Sequence, residues 1–234
     1  GVFVTEFSGN LNLATVKSTT GEIRLVSSGS ILDALANGST NITGTGQINL
    51  TAQVGAIGLL NDDLEIDSGV GSTVSAIATS HIYLTETSGS LDVGNIVSTA
   101  GNIRLTLPDV SGALENVNLN STAVVKTSAG TIEIRVGDDI TSASGRVISA
   151  TGTIMIWADS NVTDPDPVAG TTINLAGEIR RAAVTINTGA DADIVNITNV
   201  RSGAMIINTS AGADVIHVGS NATTTQTGGL LDGL

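Results

Sequence analysis

The chain contains no cysteine, so it has no disulfide, no thiolate metal site and no cysteine nucleophile. That absence also fits a bacterial exported chain. Aromatic side chains are almost as rare, at 2% of 234 residues. Phe3, Phe7, Tyr83 and Trp157 are the whole set, so a core must be filled by Val, Ile, Leu and Ala, which suits a thin interior. Basic residues number nine against 22 acids, for a formal charge of -13. Such a balance argues against any sequence-independent hold on phosphate backbones and therefore against a nucleic-acid partner. No apolar run approaches the ~18 residues that a membrane-spanning helix needs. Residue 1 opens inside a strand-like pattern with no charged, apolar leader, so the chain is expected either to have lost a leader or to have been cut from something longer.

What is present points to short strands. Apolar residues make up 41% of the chain, enough for a continuous core. They are mostly β-branched or small, and Val, Ile and Thr sit well on a pleated surface while helix formers such as Lys, Gln and Met are few. With 28 Gly and only three Pro, together with many Ser, Thr and Asn, the chain reads as all-β with frequent turns.

An internal repeat narrows the architecture. Val2 to Leu25 matches Ile82 to Leu105 without a gap, with Thr5-Glu6 on Thr85-Glu86, Ser8-Gly9 on Ser88-Gly89, and Arg24 on Arg104. Further on, Gly46, Ile48 and Leu50 correspond to Gly130, Ile132 and Ile134, and Thr73-Val74 to Thr153-Ile154. Inside the long unit a short phrase recurs: Gly, a polar residue, then apolar, polar, apolar. It appears as Gly21-Glu22-Ile23-Arg24-Leu25, Gly46-Gln47-Ile48-Asn49-Leu50 and Gly101-Asn102-Ile103-Arg104-Leu105, among others. Each phrase is a turn feeding a strand with one buried face. Strands this short cannot bury a core singly, and stacking them in parallel coils covers their edges. The predicted fold is a right-handed parallel β-helix with uncapped ends, and an irregular antiparallel sandwich is the competing architecture. The predicted organisation is a first long repeat over 1–81, a second over 82–164, and a continuation over 165–234.

The phrases resemble a known family. Val54-Gly55-Ala56-Ile57-Gly58, Leu64-Glu65-Ile66-Asp67, His81-Ile82-Tyr83-Leu84-Thr85-Glu86 and Ser88 to Leu105 resemble the long repeats of giant extracellular proteins of environmental bacteria, similar in style to filamentous-haemagglutinin-type adhesins. The likeness covers nearly the whole chain and carries no catalytic signature. It implies a secreted or surface-anchored β-helix. From about residue 183 the texture changes. Thr188-Gly189-Ala190-Asp191-Ala192-Asp193-Ile194 and Thr209-Ser210-Ala211-Gly212-Ala213-Asp214-Val215 resemble degenerate haemolysin-type calcium repeats, which implies calcium at Asp191, Asp193 and Asp214 through a cage of hard oxygen ligands. Several glycines of that motif are missing, and the spacing of Asp193 and Asp214 is not a multiple of nine. The competing reading makes these aspartates turn residues that cap their own backbone.

Other candidates are weaker. Asp62-Asp63 and Asp138-Asp139 invite comparison with the paired carboxylates of β-helical polysaccharide hydrolases. Adjacent strand residues point to opposite faces, however, and both settings read as turns. Arg24 and Arg104, at equivalent repeat positions, predict a stacked outward face. His81 and His217 share no metal-ligand spacing and are expected at solvent-facing strand positions. Asp159 to Thr172, with Asp164-Pro165-Asp166-Pro167, reads as a protruding loop. Thr223-Thr224-Thr225 drift out of any regular array, which disfavours an ice-binding face. The expected function is a non-enzymatic structural or adhesive segment of a bacterial cell-surface or secreted repetitive protein, stacking end to end with itself or continuing in the same chain. Its expected targets are a cell-surface glycan or a host or biofilm matrix. A β-helical polysaccharide lyase or hydrolase and a calcium-stiffened spacer are the alternatives.

Overall fold

The computed structural model describes residues 1–35, 38–110, 114–144, 147–159, 170–180, 183–201 and 203–219. Asp164 to Pro167, where a protruding loop is expected, and Thr223 to Thr225 lie outside these residues. The recurring phrase folds as its alternation dictates: in Ile48–Ala52 the side chains of Ile48, Leu50 and Ala52 are buried while Asn49 and Thr51 are half-buried. The same alternation recurs in Ile23–Ser27 and Ile132–Val136.

These strands stack into two long sheets. An 11-stranded sheet runs from Val2–Glu6 through Ile23–Ser27, Ile48–Ala52, Thr73–Ala78, Leu91–Ser98 and Val117–Thr127 to Val215–Val218, and a nine-stranded sheet runs from Val16–Ser18 through Leu64–Asp67, Ile82–Glu86, Ile103–Thr106, Ile132–Val136 and Thr153–Ala158 to Met205–Asn208. A two-stranded sheet joins Leu11–Leu13 to Ile31–Asp33. Every pairing of these strands is parallel. The molecule is an all-β, right-handed parallel β-solenoid. The antiparallel sandwich is thereby excluded.

The interior is as thin and aliphatic as the composition requires. One column of the first sheet runs in register through Val2, Ile23, Ile48, Val74, Val93 and Leu119. It continues through Ser142, Leu175 and Ile197. Ser142 is the polar member, and its Oγ accepts a hydrogen bond from Gly177 N at 3.0 Å, which satisfies the hydroxyl where water cannot. Tyr83 is the one buried aromatic among the described residues.

Glycine in the phrase serves two purposes. Gly21 takes φ +98°, which only glycine adopts cheaply. Gly130 instead lets two coils touch: a Cβ there would lie 2.4 Å from the Gly101 carbonyl oxygen of the preceding coil.

The long sequence repeat does not repeat a face. Val2–Glu6, Ile23–Ser27, Ile48–Ala52 and Thr73–Ala78 lie in the first sheet, whereas their sequence equivalents Ile82–Glu86, Ile103–Thr106, Ile132–Val136 and Thr153–Ala158 lie in the second. Three coils carry the chain from Val2 to Val74, and the residues remaining before Ile82 turn the corner onto the next face. The predicted stack of Arg24 on Arg104 therefore does not exist. Each arginine instead covers the aromatic ring of the coil before it: Arg24 lies 4.9 Å from the Phe3 ring centre and Arg104 4.7 Å from that of Tyr83. The repeated object is this two-strand pair, placed on a different side of the rod each time.

Two substitutions test the packing. Ile132→Ala is expected to cost about 2–5 kcal/mol through the cavity it leaves, and Gly130→Ala about 1–3 kcal/mol through the displaced coil, both measured by denaturant unfolding. A Gly130→Ala protein as stable as the parent would contradict the close coil contact.

Candidate functional site

Two regions gather the ionisable side chains that stand out in the sequence. The first is the corner leading into the 11-stranded sheet. Where the chain turns out of a ladder, backbone N–H groups lose their strand partners and need another acceptor. Asp138, Asp193 and Asp214 supply it across one coil spacing. Glu115 N donates to Asp138 Oδ2 at 2.7 Å, Thr171 N to Asp193 Oδ1 at 2.9 Å, and Asp193 N to Asp214 Oδ1 at 3.1 Å. Asp139 acts in the opposite direction, accepting from Thr172 N of the next coil at 2.7 Å, and Asn116 accepts from Asp139 N at 3.0 Å. The aspartates are turn residues, as expected, but they cap a neighbouring coil and not their own backbone.

Asp193 is fully buried, and its second oxygen accepts the Thr188 hydroxyl. Burial raises its pKa, the Thr188 and Thr171 donors oppose the rise, and the charges of Asp214 and Asp191 add to it. The structure thus brings Asp193 and Asp214 into one hydrogen-bonded column, with Asp191 close enough to act on Asp193 through charge. Asp139 is likewise raised by burial, opposed by the Thr172 N–H and reinforced by Asp138. Among the described residues no group of three or more His, Cys, Asp or Glu is placed to hold a metal ion.

The histidines are more engaged than expected. His81 lies in the turn before Ile82–Glu86 and not in a strand. Its Nδ1 accepts from Asn102 N at 2.9 Å, and its ring stacks on Tyr83 with centres 5.4 Å apart. His217 lies in Val215–Val218, where Nδ1 meets Asn196 Oδ1 at 2.8 Å.

The second region is a groove on the outer face of the nine-stranded sheet. Its volume is about 550 Å³, and it is lined by Gly38, Leu60, Asn61, Asp62, Asp63, Glu65, Thr85, Arg104, Thr106 and Arg135. Strand alternation aims Thr85, Thr106 and Arg135 outward. One wall is the tight turn Leu59 to Asp62, closed by Leu59 N to Asp62 O at 2.8 Å and Asp62 N to Leu59 O at 3.1 Å. Arg104 clamps that wall to the sheet: it pairs with Asp63, donates to Leu60 O at 2.7 Å and lies over the Tyr83 ring. Asp63 Oδ2 also accepts from Thr85 Oγ1 at 3.0 Å. The pair is mostly shielded, with side chains 14% and 10% exposed, so its charges are balanced where water is scarce.

Glu65 forms part of the groove floor. It is 8% exposed, and its Oε2 has no hydrogen-bond partner among the described residues. Burial first, and then the charge of Asp33, push its pKa up to about 7. Asp62 is raised by the same two causes in the same order. The two acids of the flagged pair therefore differ: Asp63 is tied to Arg104, and Asp62 lines the same groove as Glu65 without an ion-pair partner among the described residues. Sequence reasoning found the pair but not its companions. Neither Glu65 nor Arg135 stands out in the sequence, and nothing in it shows that the turn and these two side chains share a groove. Trp157 carried a usable signal, an aromatic in the outward slot of Ile154-Met155-Ile156-Trp157-Ala158.

No protein-family model, curated protein or solved structure matches the chain. The fold and its internal repeat define it as a repetitive parallel β-solenoid.

Two tests follow from these carboxyls. Glu86, at the end of Ile82–Glu86, accepts from Ser68 N at 2.9 Å, and burial pushes its pKa up to about 8. Between the ordinary glutamate value of 4.5 and about 7 at Glu65, and about 8 at Glu86, the fold holds protons that the unfolded chain has released. The stability these two groups contribute is fully present below that range and is lost as pH rises through it. The melting temperature is expected to fall between pH 5 and pH 8, and Glu86→Gln should flatten the slope. An unchanged slope would contradict the buried neutral acid. At the corner, Asp193→Ala is expected to cost about 1–3 kcal/mol by orphaning the Thr171 N–H, while Asp193→Asn, which keeps an acceptor, should cost less in the same unfolding measurement.

Proposed function

We propose that this chain is a rigid, non-catalytic segment of a bacterial cell-surface or secreted repetitive protein, and that its role is to hold an adhesive face away from its anchor. One observation carries the reading: the parallel ladder runs unbroken through ten successive strands of one sheet. At ~4.8 Å per strand that ladder is about 43 Å long. Stiffness along such an axis comes from backbone hydrogen bonds and from a continuous aliphatic core, and neither is tied to a particular reaction. The resemblance to filamentous-haemagglutinin-type repeats supports a surface location.

Beads coated with the purified protein are expected to be retained several-fold better than albumin-coated beads on an immobilised bacterial biofilm matrix. Equal retention would contradict adhesion. A polysaccharide lyase or hydrolase remains the contrary reading, favoured by Asp62 and Glu65 sharing the groove. Release of reducing ends or unsaturated sugars from any polysaccharide, abolished by Glu65→Gln, would replace the scaffold reading with that one.

The calcium-stiffened spacer has its own observation. Asp191 and Asp214 both stand near enough to Asp193 to raise its pKa, and a divalent cation relieves such repulsion. Added calcium chloride should then raise the melting temperature by several degrees and a chelator should reverse the rise. A melting temperature unmoved by either removes this reading.

A further inference from the structure

We infer that the outer face of the nine-stranded sheet binds a linear, uncharged oligosaccharide lying along the solenoid axis, with Trp157 as the platform for one sugar ring and Glu65, Thr85, Thr106 and Arg135 meeting hydroxyl groups. The inference deepens the adhesive reading above and rests on it for the biological setting.

Register places these five residues in one line. Glu65 pairs with Thr85, Thr85 with Thr106, Thr106 with Arg135, and Arg135 with Trp157. Four strand spacings of ~4.8 Å make a strip about 19 Å long. Its first four members line the groove, and the fifth continues the strip on the adjoining coil. Trp157 is the only tryptophan of the chain and is 41% exposed. Its large apolar face stands in a slot that its neighbours in the column fill with Arg135 and Asn187. An exposed indole offers a flat surface for stacking and an N–H for a polar partner.

The class of ligand follows from what the face offers. Backbone N–H and C=O groups of these strands are spent in the ladders to either side, so a peptide cannot add as a strand. Side chains alone make contact, and they are hydroxyl, carboxyl, guanidinium and indole. Both guanidinium groups of the groove already have carboxylate partners, Arg104 in Asp63 and Arg135 in Glu133 at 2.8 Å, while Asp62 and Glu65 add acid to its lining. The chain's formal charge of -13 repels polyanions. Glu65 Oε2, buried and without a partner among the described residues, is an acceptor that a sugar hydroxyl can satisfy. A hydroxyl-rich, uncharged chain with apolar ring faces meets all of these conditions.

Trp157 is also the reporter. Its intrinsic fluorescence in the full chain is to be titrated with cellohexaose, xylohexaose and chitohexaose, and with hexagalacturonate as the acidic comparison. A saturable change with at least one neutral hexasaccharide is expected, weaker with hexagalacturonate. Calorimetry with the same sugar should show about a tenfold loss of affinity in Trp157→Ala, corresponding to one lost ring stack. Arg135→Gln, which keeps the reporter, should also weaken binding, and Arg24→Gln in the other sheet should leave it unchanged. Circular dichroism melts confirm that each variant is folded. The inference is overturned by an unchanged signal with all four sugars, by tighter binding of hexagalacturonate, or by equal affinity in Trp157→Ala. Coated beads that still adhere when no sugar binds would remove this site alone and leave the adhesive reading in place, whereas beads that never adhere would remove the adhesive reading itself.

Discussion

Everything in this molecule depends on one constraint: each coil must lie in parallel register on the next so that its backbone is paired and its aliphatic side chains close over a narrow centre. A single strand of the Ile48–Ala52 kind has three buried side chains and cannot hold itself together. Its neighbours Ile23–Ser27 and Thr73–Ala78 supply both ladders and both walls. The core positions are therefore drawn from the narrow set Ile, Leu, Val and Ala, each sized to its place, while the corners call for particular residues. A corner must let two backbones touch, as at Gly130, or must satisfy a stray N–H, as Asp193 does for Thr171.

That division explains how much could be read beforehand. Strand character, inward and outward alternation and parallel stacking were all written in the phrase around Ile23, Ile48, Ile103 and Ile132, because alternation and glycine act locally. The rotation of the long repeat from one sheet to the other was not. It depends on how many residues each coil consumes, and corner lengths vary from coil to coil without leaving a periodic mark. Hence Arg24 and Arg104 look equivalent in sequence yet stand on different faces, each over the aromatic of the preceding coil.

The candidate site shows the same limit. Asp62-Asp63 drew attention as a pair, but the groove arises because the turn from Leu59 to Asp62 is drawn onto the sheet by Arg104. Glu65, Thr85 and Arg135 come together only through register, and register is a property of the stack. The corner aspartates carried the opposite lesson. The resemblance of Asp193 and Asp214 to calcium repeats lay in composition, while the contacts visible in the fold are those of acceptors for a neighbouring coil's N–H.

The most direct test of the parallel coil uses the chain's lack of cysteine. Asn49 and Ser75 are register partners facing outward on adjacent strands, about 4.8 Å apart, within the reach of a disulfide. In the double variant Asn49→Cys/Ser75→Cys, mild oxidation should give an intramolecular disulfide in nearly all molecules, and Asn49→Cys/Thr79→Cys should give almost none. Ready cross-linking of the second pair and failure of the first would contradict the parallel register and the solenoid built on it.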